Sequence, residues 1–126
     1  MPTVSHTDRI AAADAYIDAL VSHDADSVPF APECVRIEVG MKTGFSGNHL
    51  RRSLNRGPQY RVITAATDRK YNVDGDRVHV TFTIVTKGAF AGRRVVADVD
   101  ETFLIPAGDG KIHHIRANIR PRIQRD

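Results

Sequence analysis

The order of hydrophobic periodicities along the chain constrains its fold more than any single residue. Near the N-terminus apolar residues recur at helical spacing; from Gln59 onward they alternate at strand spacing between turn signals. In the first part, Ile10, Ala13, Ile17, Leu20 and Val21 form one stripe of a helix over Thr7–Ser22. Ser5 or Thr7 can cap it, and Asp8 suits the positive end of its dipole. Tyr16, one turn before Leu20, lies at the inward edge of that stripe. A polar segment follows, in which Asp24 or Asp26 could cap one short helical turn that Pro29 and Pro32 prevent from extending. Cys34–Val39 reads as a short strand. A second helix is expected over Ser46–Arg56, with Ser46 as cap and Leu50 and Leu54 on one face. Gly57 in a left-handed conformation and Pro58 would stop it.

The second part reads as strands over Tyr60–Asn72, Arg77–Lys87, Arg93–Ile105 and Lys111–Arg120. Asp74-Gly75 marks a tight hairpin, Lys87–Gly92 a wider turn, and Pro106–Gly110 the last hairpin. Val78, Val80, Phe82 and Ile84 alternate with His79, Thr81 and Thr83, and Val95, Ala97, Val99, Phe103 and Ile105 share one face of the next strand. Helices followed by an antiparallel meander imply an α+β domain whose helices pack in the concave face of a curved sheet. With so few helices one face of the sheet stays open, so a homodimer through that face is expected.

The 126 residues suit one domain spanning the chain, and 41% apolar with 26% charged residues is an ordinary globular balance. No apolar run is long enough for a bilayer, and the polar stretch Met1–Arg9, carrying Asp8, does not read as a signal peptide, so none is expected. A soluble cytoplasmic protein is expected. Cys34 is the only cysteine, which excludes an internal disulfide and a cysteine zinc site, and it reads as a small buried side chain. The net charge of +3 owes much to Arg116, Arg120, Arg122 and Arg125. Without a groove-reading helix or exposed aromatics these read as a solvated or subunit-bridging tail, and nucleic acid is disfavoured as a partner. The six histidines lack paired metal-ligand spacing, and neither a phosphate loop nor a nucleophile elbow is present, so neither metal nor cofactor is expected.

Six pieces of sequence, in this order, carry a family resemblance: Ala15-Tyr-Ile-Asp-Ala-Leu20, His23-Asp-Ala-Asp26, Pro29-Phe-Ala-Pro-Glu33, Ile37-Glu38, Phe45-Ser-Gly47, and Gly110-Lys111 before an alternating strand. Together they resemble the nuclear-transport-factor-2-like superfamily, which includes ketosteroid isomerases and SnoaL-like polyketide cyclases. Ala15–Gly40 also resembles an uncharacterised group of bacterial and fungal domains within it. The resemblance covers nearly the whole chain and implies an α+β cone with a pocket, but no one activity.

In ketosteroid isomerases a carboxylate moves a proton beside a carbonyl while a tyrosine and a protonated acid hold the enolate oxygen, chemistry that needs an apolar pocket. By resemblance Tyr16 matches the tyrosine, and Glu38 matches the base with glutamate for aspartate. Glu101, in Glu101-Thr-Phe103, matches the second acid. Strand alternation raises a difficulty for Glu38: Val35, Ile37 and Val39 form the apolar face, which puts Glu38 outside with Arg36 unless the strand end is bulged. Glu101 shares the apolar face of Val99 and Phe103, so it must be paired with an arginine such as Arg36 or Arg61, protonated, or near water. Closing the last hairpin puts Phe103 opposite His113 and Glu101 opposite Ile115, which makes Glu101 and His113 diagonal neighbours able to share a proton. His114 falls on the opposite face with Arg116.

Tyr16, Glu38, Glu101 and His113 are therefore the candidate catalytic residues, and Phe30, Val80, Phe82, Phe103 and Ile115 the candidate ligand-binding ones. The leading expectation is cofactor-independent proton transfer, of the isomerase or cyclase type, on a small apolar carbonyl compound such as a steroid or polyketide. The alternative is a non-catalytic ligand-binding or dimerisation domain of the same fold.

Overall fold

A computed structural model describes residues 4–88 and 90–125. Met1–Thr3, Ala89 and Asp126 lie outside them, and with them the start of the polar N-terminus and part of the Lys87–Gly92 turn. Helix α1 (His6–Ser22) is followed by β1 (Phe30–Glu38), β2 (Met41–Gly44), α2 (Gly47–Arg56) and a helical turn α3 (Pro58–Arg61). Four long strands complete the chain: β3 (Ile63–Asp74), β4 (Arg77–Thr86), β5 (Arg93–Leu104) and β6 (Ile112–Arg125). They form one curved sheet of order β2-β1-β6-β5-β4-β3, antiparallel except where β1 runs parallel to β6. The helices pack on its concave side: an α+β cone. None of the described helices is long and apolar enough to cross a membrane.

Local chemistry accounts for most element ends. Ser5 and Asp8 form a reciprocal capping box at the start of α1, and the Ser46 hydroxyl accepts the His49 N–H at the start of α2. Gly75, at φ +58, makes the β3–β4 hairpin. Val39 and Gly40, at φ 51 and 77, form the two-residue turn into β2, a strand the sequence reading did not anticipate.

Other expectations need correcting. Gly57 is extended, at φ −64, rather than left-handed, and Pro58 opens α3 instead of ending the helical region, since proline suits a first helical position. Tyr60 is therefore helical and β3 starts at Ile63. The segment after α1 is a turn without a helix; the Asp24 carboxylate accepts the Asp26 N–H. The C-terminal arginines are not a tail: β6 continues to Arg125, and Arg122 is ion-paired to Asp98 at 2.8 Å.

Polar ties fix α1 over the sheet. The buried Arg9 donates to the Ile105 carbonyl at 2.8 Å and to Asp76 at 3.0 Å, while Arg69 of β3 bridges Asp14 and Asp18, both at 2.7 Å. Between them Tyr16 meets Phe103 edge-on, with ring centroids 5.3 Å apart. Phe30, Val80, Phe103 and Ile115, expected to line the pocket, are buried in this continuous core with Ile17, Leu50 and Ile112.

Candidate functional site

The buried face of β1 is the opposite of the one alternation suggests. Cys34 and Arg36 are fully buried and Glu38 turns inward with them, while Val35 and Ile37 are half-buried and Val39 is 62% exposed. Face assignment by hydropathy fails here because Arg36 finds enough inward partners to be desolvated. Its Nη1 donates to the Tyr16 hydroxyl at 3.1 Å, its Nε to Thr43 Oγ1 at 3.1 Å, and its Nη2 to the Thr43 carbonyl at 3.2 Å and the Ser53 hydroxyl at 3.4 Å. The guanidinium also lies 5.1 Å from the Tyr60 ring centroid and 3.5 Å from Glu38 Oε1. Burial alone would favour loss of its proton, but Tyr16, Tyr60 and Glu38 outweigh that and hold Arg36 charged.

Glu38 is fixed by donors on three elements. Thr43 Oγ1 donates to its Oε1 at 2.7 Å, and the Tyr60 hydroxyl reaches both oxygens, at 3.3 and 3.4 Å. Glu101 is in a different environment. It is 97% out of contact with solvent, and among the described residues nothing hydrogen-bonds its carboxyl. Burial pushes it from the ordinary 4.5 up to about 8; the negative Glu38 adds to this and Arg36 opposes it. Near neutral pH Glu101 is thus mainly a neutral acid with a proton to donate. The Tyr16 hydroxyl is also driven strongly upward, by burial first and then by Glu101, Tyr60 and Glu38 against Arg36. Because Arg36 donates to its oxygen, the proton of Tyr16 remains free to point elsewhere.

Tyr16, Glu38, Tyr60 and Glu101 all line one cavity of about 260 Å³, whose remaining wall is chiefly apolar, from Leu20, Ile63, Phe82, Ile84, Val99 and Ile119. Of the apolar candidates only Phe82 reaches it. A wider groove of about 520 Å³ crosses Thr81, Thr83, Asp98, Asp100, Asn118 and Arg120 on the face away from α1, with Asp98 held by Arg122 and Thr83. The smaller cavity is the better candidate because it gathers Tyr16, Glu38, Tyr60 and Glu101.

His113 does not join them. In the observed register Phe103 faces Ile115 and Glu101 faces Ala117, two residues along from the expected pairing. Ile112 and Ile115 are both fully buried, so alternation slips between them. His113 is left beside two surface carboxylates, with Nε2 2.8 Å from Asp109 and Nδ1 3.2 Å from Glu33. Among the described residues neither arginine considered for Glu101, Arg36 or Arg61, bonds to it, and Arg36 is engaged by Glu38 and Tyr16.

The sequence reading missed Thr43 and Tyr60 and took Arg36 for an outward residue. The alternation Cys34-x-Arg36-x-Glu38 was the signal available, but only a known location for Tyr16 could have shown that it faces inward.

These geometric features can be set beside known proteins. A family model described as a domain of unknown function, DUF8021, matches residues 3–119. The chain belongs to the DUF8021 family. No curated protein matches its sequence. Among solved structures, this DUF8021 chain is similar to an LEH-like epoxide hydrolase of M. tuberculosis, with 21% identity, TM-score 0.70, and 90% of this chain and 84% of that one covered. It is similar to SalBIII, an epoxide hydrolase/cyclase-like enzyme of pyran ring formation in polyether salinomycin, at 17% identity and TM-score 0.67, covering 92% and 93% of the two chains. An NTF2-like protein of unknown function from Cytophaga hutchinsonii has 10% identity and TM-score 0.71, with 90% and 97% covered. At these identities the likeness shows the fold alone: this chain has the NTF2-like, SnoaL-like architecture.

Proposed function

We propose that this DUF8021 domain is a small-molecule pocket enzyme that moves a proton on an apolar carbonyl compound without a cofactor. One observation carries the reading: two carboxylates share a largely apolar cavity in opposite settings, Glu38 held by cationic and hydroxyl donors and Glu101 pushed up to about 8 with none. Glu38 takes the proton from the carbon beside the carbonyl, and the electrons move onto the oxygen. Tyr16 and the protonated Glu101 donate hydrogen bonds to that oxygen. Glu38 then returns the proton to the same carbon or, in a β,γ-unsaturated ketone, to the γ-carbon.

The test is turnover of a panel of β,γ-unsaturated ketones, followed by the absorbance of the conjugated product. Glu38→Gln should lower kcat by about two to four orders of magnitude, as for loss of a general base. Tyr16→Phe and Glu101→Gln should each lower it by about two to three orders, as for loss of one donor to a developing oxyanion. Absence of turnover by the unaltered protein on every ketone would overturn the catalytic reading.

A second reading, a binding pocket without catalysis, draws on the crowding of Glu38. Thr43, Tyr60 and Arg36 converge on its carboxylate and leave few lone pairs for a substrate proton. It predicts saturable binding of the same ketones with no product formed.

A further inference from the structure

Beyond the cavity, the face of β5 and β6 that forms part of its wall continues outward. Cross-strand pairs that share a face follow one another at two-residue steps: Glu101 with Ala117, Val99 with Ile119, Ala97 with Pro121, Val95 with Ile123, and Arg93 with Arg125. The first two pairs belong to the cavity wall. The next two are apolar, and the outer of them is left open to solvent, with Val95 46% and Ile123 61% exposed. The last is a pair of exposed arginines directly opposite one another. Like charges in that position repel and destabilise the strand ends. Among the described residues neither guanidinium has a carboxylate partner, whereas Arg122, on the other face of β6, is paired with Asp98.

We propose that this strip is the outer half of the binding site and that the ligand is a long amphiphile with a terminal anionic group. Its reactive end lies between Glu38, Glu101 and Tyr16, its apolar body follows Val99, Ala97 and Val95, and its anion is held by Arg93 and Arg125. Glu101 and Arg93 are eight residue steps apart, about 26 Å along the strand, so only a long chain joins the two ends. Charge complementarity selects the anion, because two facing cations with no partner are relieved by one carboxylate or phosphate between them. The assignment of the reactive end rests on the proton-transfer reading above; the anion subsite does not depend on turnover.

The test is calorimetric titration with palmitate, hexadecyl phosphate, octanoate and uncharged glycerol monopalmitate, each below its micellar concentration. The unaltered protein should bind at least one long-chain anion about tenfold more tightly than glycerol monopalmitate, from two partly exposed charge contacts. The tighter of palmitate and hexadecyl phosphate identifies the headgroup, and octanoate, too short to follow the apolar stretch from Arg93 to Val99 (about 20 Å along the strand), should bind more weakly than palmitate. The double variant Arg93→Gln, Arg125→Gln should lose the preference for the anion while retaining its affinity for glycerol monopalmitate, which also reports on folding. Equal affinity for charged and uncharged chains, or an anion preference unchanged in the double variant, would overturn the proposal. Because the titration reads binding alone, a protein inactive on every ketone still shows the preference if the strip is a site. An active enzyme without the preference overturns the strip and leaves the proton-transfer reading standing.

Discussion

Replacing Glu101 by glutamine should make stability rise with pH relative to the unaltered chain. Burial, reinforced by Glu38 against Arg36, raises the folded-state value of this carboxyl from 4.5 to about 8. Between those values the folded state holds a proton that the unfolded state has released, so rising pH favours unfolding. From 4.5 to about 8 is about 3.5 pH units, and at about 1.4 kcal/mol per unit the full effect is about 5 kcal/mol. At pH 7 roughly 2.5 of those units have been crossed, or about 3.5 kcal/mol. The amide of Glu101→Gln has no proton to lose and escapes this penalty, although burying it without a partner sets its own constant offset. The assay is urea unfolding of both proteins at half-unit steps from about pH 4 to pH 9. The stability of the variant minus that of the unaltered chain should be flat below 4.5, rise through the neutral range and level off above about 8. A difference independent of pH would refute the argument, since it would mean that Glu101 titrates alike in both states.

Activity on the responsive ketone should fall as pH passes about 8, where Glu101 loses the proton it donates, and this limb should vanish in Glu101→Gln; a pH–rate profile checks both. Arg36→Met should cost about 3–5 kcal/mol by urea unfolding, because it strands Glu38 and the Tyr16 hydroxyl, and adding Glu38→Gln should recover part of that loss. At the start of α2, Gly47→Ala should lower stability by about 1–3 kcal/mol in the same assay, since a Cβ there would meet the Ala31 carbonyl oxygen at 2.5 Å. Burial pushes the Cys34 thiol up to about 12 against the nearby Arg36, so a thiol reagent should modify it at neutral pH only after denaturant is added.

What could be read in the sequence was what neighbouring residues settle among themselves. Caps at Ser5 and Ser46, the Asp74-Gly75 hairpin and the alternation through Val78–Ile84 depend on contacts a few residues apart, and each lies where expected. The cone follows from helices preceding a meander. Less legible was whatever depends on distant partners. Alternation divides β1 into two faces but cannot say which is inward; that was decided by Tyr16, Thr43, Ser53 and Tyr60 all meeting Arg36. The parallel pairing of β1 with β6 joins segments about eighty residues apart and leaves no local trace. His113 was misplaced by assuming unbroken alternation through a strand start where Ile112 and Ile115 both turn inward. Tyr16, Glu38 and Glu101 came from resemblance, and the structure brings these three to one cavity.

Arg36 explains why two carboxylates in that cavity differ. It lies on β1 and binds α1 through Tyr16, β2 through Thr43, α2 through Ser53 and α3 through Tyr60, so its charge is held by the packing of the fold itself. A buried cation of this kind is balanced by one anion, and Glu38, two residues along the same strand, is close enough to supply it. Were Glu101 to ionise as well, it would add an uncompensated negative charge to an apolar wall, which is the physical content of its rise to about 8. Arg36 thus pairs with Glu38, while burial first and then the neighbouring Glu38 keep Glu101 protonated against the pull of Arg36. The consequence is asymmetric. Arg36→Met takes away the group that holds both Glu38 and the Tyr16 hydroxyl in place, so it should lower ketone turnover further than Glu101→Gln even where the protein remains folded. Glu101→Gln leaves the Arg36–Glu38 pair intact and should retain a slow reaction. If Arg36→Met turned over substrate as fast as Glu101→Gln, Glu38 would not be the base, and the division of roles between the carboxylates would fall with it.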